Sequence, residues 1–197
     1  MTVAIIKYNA GNTQSVLFAL ERIGIKAIVT DDASLIKAAD KVIFPGVGEA
    51  SSAMMYLKER NLDELIVSLK QPVLGICLGM QLLCQHSEEN NTNCLGIFEG
   101  VSVNKFMQHE NKLKIPQVGW NTITNLRPGL FFNVAEGSYC YFVHSYYAPK
   151  NNYTTAITDY IQPYSSAMQK QNFYGVQFHP EKSAAAGEQI LKNFLSL

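Results

Sequence analysis

One stretch restricts the fold more than any other: Val73-Leu74-Gly75-Ile76-Cys77-Leu78-Gly79-Met80-Gln81. A short apolar run ends in a cysteine boxed by glycines, and helix-forming residues follow at once. Gly-x-Cys-x-Gly in that setting is the thiol counterpart of the Gly-x-Ser-x-Gly nucleophile elbow, a sharp strand-to-helix turn. Gly75 and Gly79 are needed because a Cβ on either side of the turn would strike the neighbouring strand or helix. Cys77 then stands at a strand end and a helix start, where the helix dipole favours the thiolate. A free thiol near pKa ~8.5 is only a few per cent ionised at neutral pH, so such tuning favours attack on carbon.

Around this turn the chain alternates. Residues 3–6 form an unbroken apolar run and read as a buried strand. Residues 13–23 carry Val16, Leu17, Leu20 and Ile23 on one face, the spacing of an amphipathic helix that stops at Gly24. Residues 25–29 read as a second strand, and Asp32 or Ser34 caps a short helix. Residues 41–44 are a third strand, Pro45-Gly46-Val47-Gly48 a turn, and residues 49–69 helical with a break near Asn61. Such β/α alternation predicts a parallel, right-handed, doubly wound sheet. Past Glu88 shorter β-like runs take over, at 95–106, 113–123, 139–144, 153–158, 164–169 and 173–178, before a last helix over 184–195. The expected fold is α/β: a mostly parallel doubly wound sheet flanked by helices, with antiparallel strands added in the second half. One domain, 1–197, is expected from a length that fills one core and leaves little for a second.

Charge narrows the partners. Acidic and basic residues balance at 16 each, so no basic stripe points to nucleic acid. No apolar run approaches the roughly 20 residues that span a bilayer, and the N-terminus lacks a secretory leader pattern. Cys77, Cys84, Cys94 and Cys140 lack zinc-type spacing. They read as reduced thiols of a cytoplasmic protein, the last three as small buried hydrophobes, with no metal expected.

A second motif lies far away in sequence: Gly175-Val176-Gln177-Phe178-His179-Pro180-Glu181. His179 has the chemistry to take a thiol proton and return it to a leaving amine, and Glu181 to hold the imidazole tautomer. C-terminal strand ends gather on one edge of a parallel sheet, so Cys77 and His179 can meet there. An attacked carbonyl also needs donors for its oxyanion. The Leu78 N–H is the usual first donor, and Val47, between two glycines, is the candidate second. His86, near a helix end, and His109, in a polar stretch, read as surface or core residues.

The pair Gly75-Ile76-Cys77-Leu78-Gly79-Met80-Gln81 and His179-Pro180-Glu181 resembles the class I (triad) glutamine amidotransferases. Tyr8-Asn9-Ala10-Gly11-Asn12, Pro45-Gly46-Val47-Gly48, Pro116-Gln117-Val118-Gly119-Trp120-Asn121 and Tyr141-Phe142-Val143-His144-Ser145-Tyr146 are similar to the branch that serves imidazole glycerol phosphate synthase. The chain has Lys7-Tyr8-Asn9 where many members have Asp-Tyr-Gly, and Gln117 where a basic residue often stands. The resemblance implies a flavodoxin-like fold, hydrolysis of L-glutamine through a γ-glutamyl thioester on Cys77, and no cofactor. It implies a glutamine pocket lined by Gly48, Gln81, His144, Ser145 and Tyr146. It places Tyr8, Asn12, Gln117, Trp120 and Asn121 near a partner.

That partner is implied to be a cyclase subunit with a (β/α)₈ barrel. It would form a heterodimer burying more than ~1,000 Å² and receive ammonia through a water-poor passage. The Gly46–Val47 peptide is expected to rest with its N–H turned away until partner and ligand turn it inward. Three alternatives stay open on the sequence: a glutaminase serving chorismate amination or pyridoxal phosphate synthesis, a cysteine peptidase or thiol hydrolase on a similar sheet, and a non-enzymatic interaction module derived from the fold, against which the intact Cys77, His179 and Glu181 argue.

Overall fold

The computed structural model describes residues 1–107 and 113–197. His109 lies outside the described residues. The first half runs β1 (Val3–Ile6), α1 (Thr13–Arg22), β2 (Ala27–Thr30), α2 (Ala33–Ala38), β3 (Lys41–Gly46), α3 (Ala50–Glu59), α4 (Leu62–Ser68) and β4 (Val73–Cys77). The second half runs α5 (Leu78–Leu82), β5 (Cys84–Ser87), β6 (Thr92–Asn93), β7 (Phe98–Lys105), β8 (Gln117–Ile123), β9 (Ser138–His144), β10 (Tyr146–Tyr147), β11 (Thr154–Asp159), β12 (Pro163–Lys170), β13 (Phe173–Val176) and α6 (Ala184–Ser196).

Seven strands form the main sheet in the order β11-β12-β13-β4-β3-β1-β2. The β2-β1-β3-β4-β13 portion is parallel, and β12 and β11 extend it antiparallel. β1, β3, β4 and β13 are buried along their whole length, which is why their sequences are nearly continuous apolar runs rather than alternating ones. Alternate residues feed two cores. Ala4, Ile6, Val42 and Phe44 pack with Ile36 of α2, Leu57 of α3 and Ile66 of α4. Val3, Ile5, Ile43 and Leu74 pack with Leu20 of α1 and Ile190 and Phe194 of α6. Helices therefore cover both faces.

Local signals explain the element ends. Asp32 Oδ1 accepts from the Ser34 and Leu35 amides and caps α2. Asn61, at φ 54°, breaks α3 from α4, as the sequence indicated. The structure departs from expectation in several places, among them the strands expected from 95 and 113, which begin at Phe98 and Gln117. β3 runs through Pro45 and Gly46, because β4 beside it continues to Cys77 and Gly46 pairs with Cys77. β2 lies two residues later at its start than the predicted 25–29. His86 sits on a strand, not near a helix end: α5 stops after five residues, and β5 pairs with β7 in a four-stranded sheet. There His86 contacts Ser102 Oγ at 3.2 Å and Asn91 Oδ1 at 2.9 Å. β8 and β9 form a separate two-stranded ribbon.

Candidate active site

The order β2-β1-β3 reverses direction at β1, and crevices in open α/β sheets form at such switch points beyond the strand C-termini. The loops after β1, β3, β4 and β13 all emerge there. Cys77 ends β4 at φ 54° and ψ −109°, a conformation that costs an L-residue energy and that the surrounding packing enforces. The flanking glycines do what the sequence required. A Cβ on Gly75 would lie 2.8 Å from the Met80 nitrogen, and one on Gly79 would run into the Phe44 carbonyl.

His179 follows β13. Its amide donates to the Tyr141 carbonyl at 2.9 Å, and its own carbonyl accepts from Ser183 Oγ at 2.6 Å. Its Nδ1 meets Glu181 Oε1 at 2.8 Å, with both side chains buried. Burial alone would lower the His179 pKa. Hydrogen bonding to Cys77 and Glu181, and their negative charge, outweigh it and raise the value well above the ordinary range. The imidazole is thus held protonated beside the sulfur. A thiolate next to an imidazolium can attack a carbonyl and hand a proton to the departing group.

Cys77 and His179 share the wall of a cavity of about 330 Å³ with Val47, Gly48, Leu78, Gln81, His144, Ser145 and Tyr146. Every residue expected in the pocket therefore reaches it. Four further residues of this wall, Glu89, Pro116, Val143 and Lys182, were not expected there as site residues. Glu89 and the exposed Lys182 supply opposite charges. Burial raises the Glu89 pKa, and its Oε2 accepts from the Ala50 amide at 2.7 Å, at the start of α3.

Not every polar group in the pocket is free for a ligand. His144 is 6% exposed and both its nitrogens are engaged, Nδ1 with the Tyr146 carbonyl at 2.8 Å and Nε2 with Tyr164 Oη at 3.1 Å. A carbonyl only accepts, so Nδ1 carries the proton and Nε2 accepts from Tyr164. Gln117 Oε1 lies 2.9 Å from the same Tyr164 hydroxyl; with the Tyr164 proton given to His144, turning that amide end for end sets its NH₂ group against the Tyr164 oxygen. Gln117 Nε2 has no hydrogen-bond partner as placed. Burial lowers the His144 pKa to about 4, and the ring is neutral.

The Val47 N–H does not face the cavity. It donates to the Ala10 carbonyl at 2.5 Å.

The residues expected near a partner separate into two groups. Trp120 is 52% exposed on β8, edge-on to Tyr141 of β9 at 5.9 Å. Asn12 and Asn121 are half-buried, the latter donating to the Asp159 carbonyl at 2.9 Å. Tyr8 and Gln117 are interior instead. The Tyr8 ring packs on Phe44 at 5.2 Å, and the Gln117 amide is turned into the core toward Tyr164. Their side chains support that surface from beneath rather than presenting themselves on it. All four cysteines are free thiols, and Cys84 and Cys140 are fully buried. Cys94 is only partly buried, with its thiol pushed up to about 12 by desolvation.

Comparison with known proteins gives a consistent picture. The family model for glutamine amidotransferase class-I matches residues 4–197. A curated protein of Bacteroides fragilis, named imidazole glycerol phosphate synthase subunit HisH, is 57% identical over 197 residues, covering all of both chains. A protein of the same name from Shewanella oneidensis is 48% identical, covering 99% of this chain and 96% of its own. A solved glutamine amidotransferase structure from Thermotoga maritima superposes with a TM-score of 0.63 at 18% identity, over 100% of this chain and 83% of the other, a likeness of fold.

Proposed function

Because this chain belongs to the class I glutamine amidotransferases, we infer that it is the glutaminase subunit of an imidazole glycerol phosphate synthase, which releases ammonia from L-glutamine for histidine biosynthesis. The observation that carries the chemistry is the buried Cys77, His179 and Glu181 group opening on one cavity. The Cys77 thiolate attacks the side-chain amide carbon of glutamine. The carbonyl electrons move to oxygen, which the Leu78 N–H holds. His179 gives its proton to the amide nitrogen, the C–N bond breaks, and ammonia leaves a γ-glutamyl thioester. His179 then takes a proton from water, hydroxide attacks the thioester, and glutamate departs as the sulfur is restored. Glu181 keeps the imidazole oriented and balances its charge. Among the lining residues Glu89 has the charge to match the substrate α-ammonium and Lys182 the charge to match its carboxylate. Gly48, Gln81, Ser145 and Tyr146 line the remainder, with His144 propping the wall.

Ammonia released here needs a receiver. The names of the relatives carry the word subunit, and they support a partner subunit. The finer reading is a cyclase with a (β/α)₈ barrel, docked over the ribbon around Trp120 and the loop holding Asn12. The Val47 N–H, occupied by Ala10, is the missing second oxyanion donor. Partner and ligand free it by turning the Gly46–Val47 peptide inward. Losing one such donor typically costs ~10²–10³ in turnover, so the isolated chain idles. Free thiols support a cytoplasmic site of action, and no helix among the described residues is long and apolar enough to cross a membrane.

The test is a glutaminase assay of the parent and Cys77→Ala, each alone and with a cyclase partner plus its nucleotide ligand. We expect turnover only with Cys77 present, raised at least a hundredfold by the liganded partner, while Cys77→Ala still binds that partner. Full activity of Cys77→Ala would overturn the chemistry. Equal turnover with and without the partner would overturn the gating.

A further inference from the structure

The Cys77 sulfur has a neighbour outside the triad. β13 pairs with β4 in parallel, with Val176 opposite Ile76, so Gln177 emerges one step later beside Cys77. Its side chain is fully buried. An amide in such a place costs free energy unless its polar atoms are bonded, and here both are. Gln177 Nε2 donates to Cys77 Sγ at 3.6 Å, and Gln177 Oε1 accepts from Gln81 Nε2 at 2.9 Å.

Which end of a glutamine amide carries the nitrogen is ordinarily ambiguous. Here a backbone group decides it. Gln81 Nε2 also donates to the Tyr146 carbonyl at 2.9 Å. A carbonyl can only accept, so Gln81 presents its NH₂ group there. Its second N–H then faces Gln177, which must answer with oxygen. That leaves the Gln177 NH₂ aimed at sulfur. One carbonyl, acting through two amides, sets a donor against Cys77.

We propose that Gln177 is a positioning residue whose amide N–H holds the Cys77 sulfur in place and favours its thiolate, with Gln81 fixing the amide's direction. The proposal rests on reading Cys77 as the nucleophile. The thiol proton is directed at the Val143 carbonyl, 3.7 Å from the sulfur. On ionisation that contact turns from favourable to repulsive, whereas an N–H donor gains charge assistance. α5 has only five residues, so its dipole contributes little beside a direct donor. Among the described residues, the side chains that feel the charge on this sulfur are His179, Tyr8 and Tyr164. Burial keeps the two phenols neutral. His179 titrates together with the sulfur, so Gln177→Met, which adds no charge, is the cleaner of the two variants.

The test is the pH dependence of Cys77 alkylation by iodoacetamide in the full chain. Mass spectrometry resolves it from Cys84, Cys94 and Cys140. The variants are Gln177→Met, of similar length without a donor, and Gln177→Glu, which keeps an acceptor for Gln81. A hydrogen bond to a charged group predicts a midpoint about one pH unit higher in Gln177→Met, and a larger rise in Gln177→Glu. In the liganded complex at neutral pH, Gln177→Met should lower kcat about tenfold and leave KM for glutamine unchanged. Gln81→Leu should shift the midpoint the same way by less. Because Gln177→Glu preserves shape and the Gln81 bond, it keeps the test open if Gln177→Met fails to fold. Unmoved midpoints in folded variants would overturn the proposal while leaving a Cys77-dependent glutaminase intact. Full activity of Cys77→Ala would remove the premise and the proposal together.

Discussion

Replacing His144 with glutamine should remove one specific acid sensitivity from this fold. His144 is buried on β9, and burial holds its pKa at about 4 against 6.5 for an unperturbed ring. Between those values the unfolded chain binds a proton on His144 that the native chain refuses, so stability falls as pH falls. At about 1.36 kcal/mol per unit, the whole gap is worth roughly 3 kcal/mol. Passing from pH 7.5 to pH 5 traverses about 2 kcal/mol of it. His179 has the opposite sign. Its raised value contributes fully below the unfolded pKa and loses that contribution as pH rises through the native one. The measurement is therefore a difference. Urea unfolding of the parent and of His144→Gln is compared at pH 7.5 and pH 5. The parent should lose about 2 kcal/mol more than the variant over that interval, a large share of the ~5–15 kcal/mol typical of a domain. Parallel losses would refute the reasoning, because His144 would then ionise as readily in the folded chain as in the unfolded one.

Two other outcomes follow from the site. Glycine at position 77 should be more stable than alanine by about 1 kcal/mol, reversing their usual order, because φ 54° with ψ −109° suits a residue without a Cβ. Thermal unfolding should then place Cys77→Gly about 2–4 °C above Cys77→Ala, and the opposite order would contradict the strain assigned to the elbow. Glu89→Gln removes the charge set against the substrate ammonium and keeps an acceptor for the Ala50 amide. Steady-state assays in the complex should show KM for glutamine rising ~10–100-fold with kcat little changed; an unchanged KM would take Glu89 out of substrate binding.

The central sheet was legible because parallel strands buried on both faces have nothing polar to hide. β1, β3 and β4 are plain apolar runs, and glycines mark where helix meets strand beside Cys77. Asn61 was legible as a break because the chain there must leave the helical region. The small sheet was not. Leu82 and Leu83 continue an apolar helical face after the elbow, and nothing local reveals that α5 ends after Leu82 or that Cys84 to Ser87 pairs with a distant β7. Gln177 and Glu89 escaped for different reasons. Glu89 lies in a polar surface segment and gains a role only when the fold brings it beside the β3 loop. Gln177 did carry a signal: an amide between Val176 and Phe178 in a wholly buried run must have partners, and the nearest reactive group was the thiol one strand away. Tyr8 and Gln117 lie beneath the expected docking face, with their side chains buried rather than presented on it.

The β8–β9 ribbon sorts buried from open side chains at single-residue spacing. Along β9, Cys140, Phe142 and His144 are closed off from solvent, whereas Tyr139 and Val143 are open to it. The open row can exchange its side chains without disturbing the interior. The closed row cannot follow, since Phe142 and His144 are wedged among Phe106, Phe178 and Tyr164. Exchange of the outer side chains thus leaves the aromatic interior intact, while Val143, which also lines the cavity, ties the outer row to the pocket.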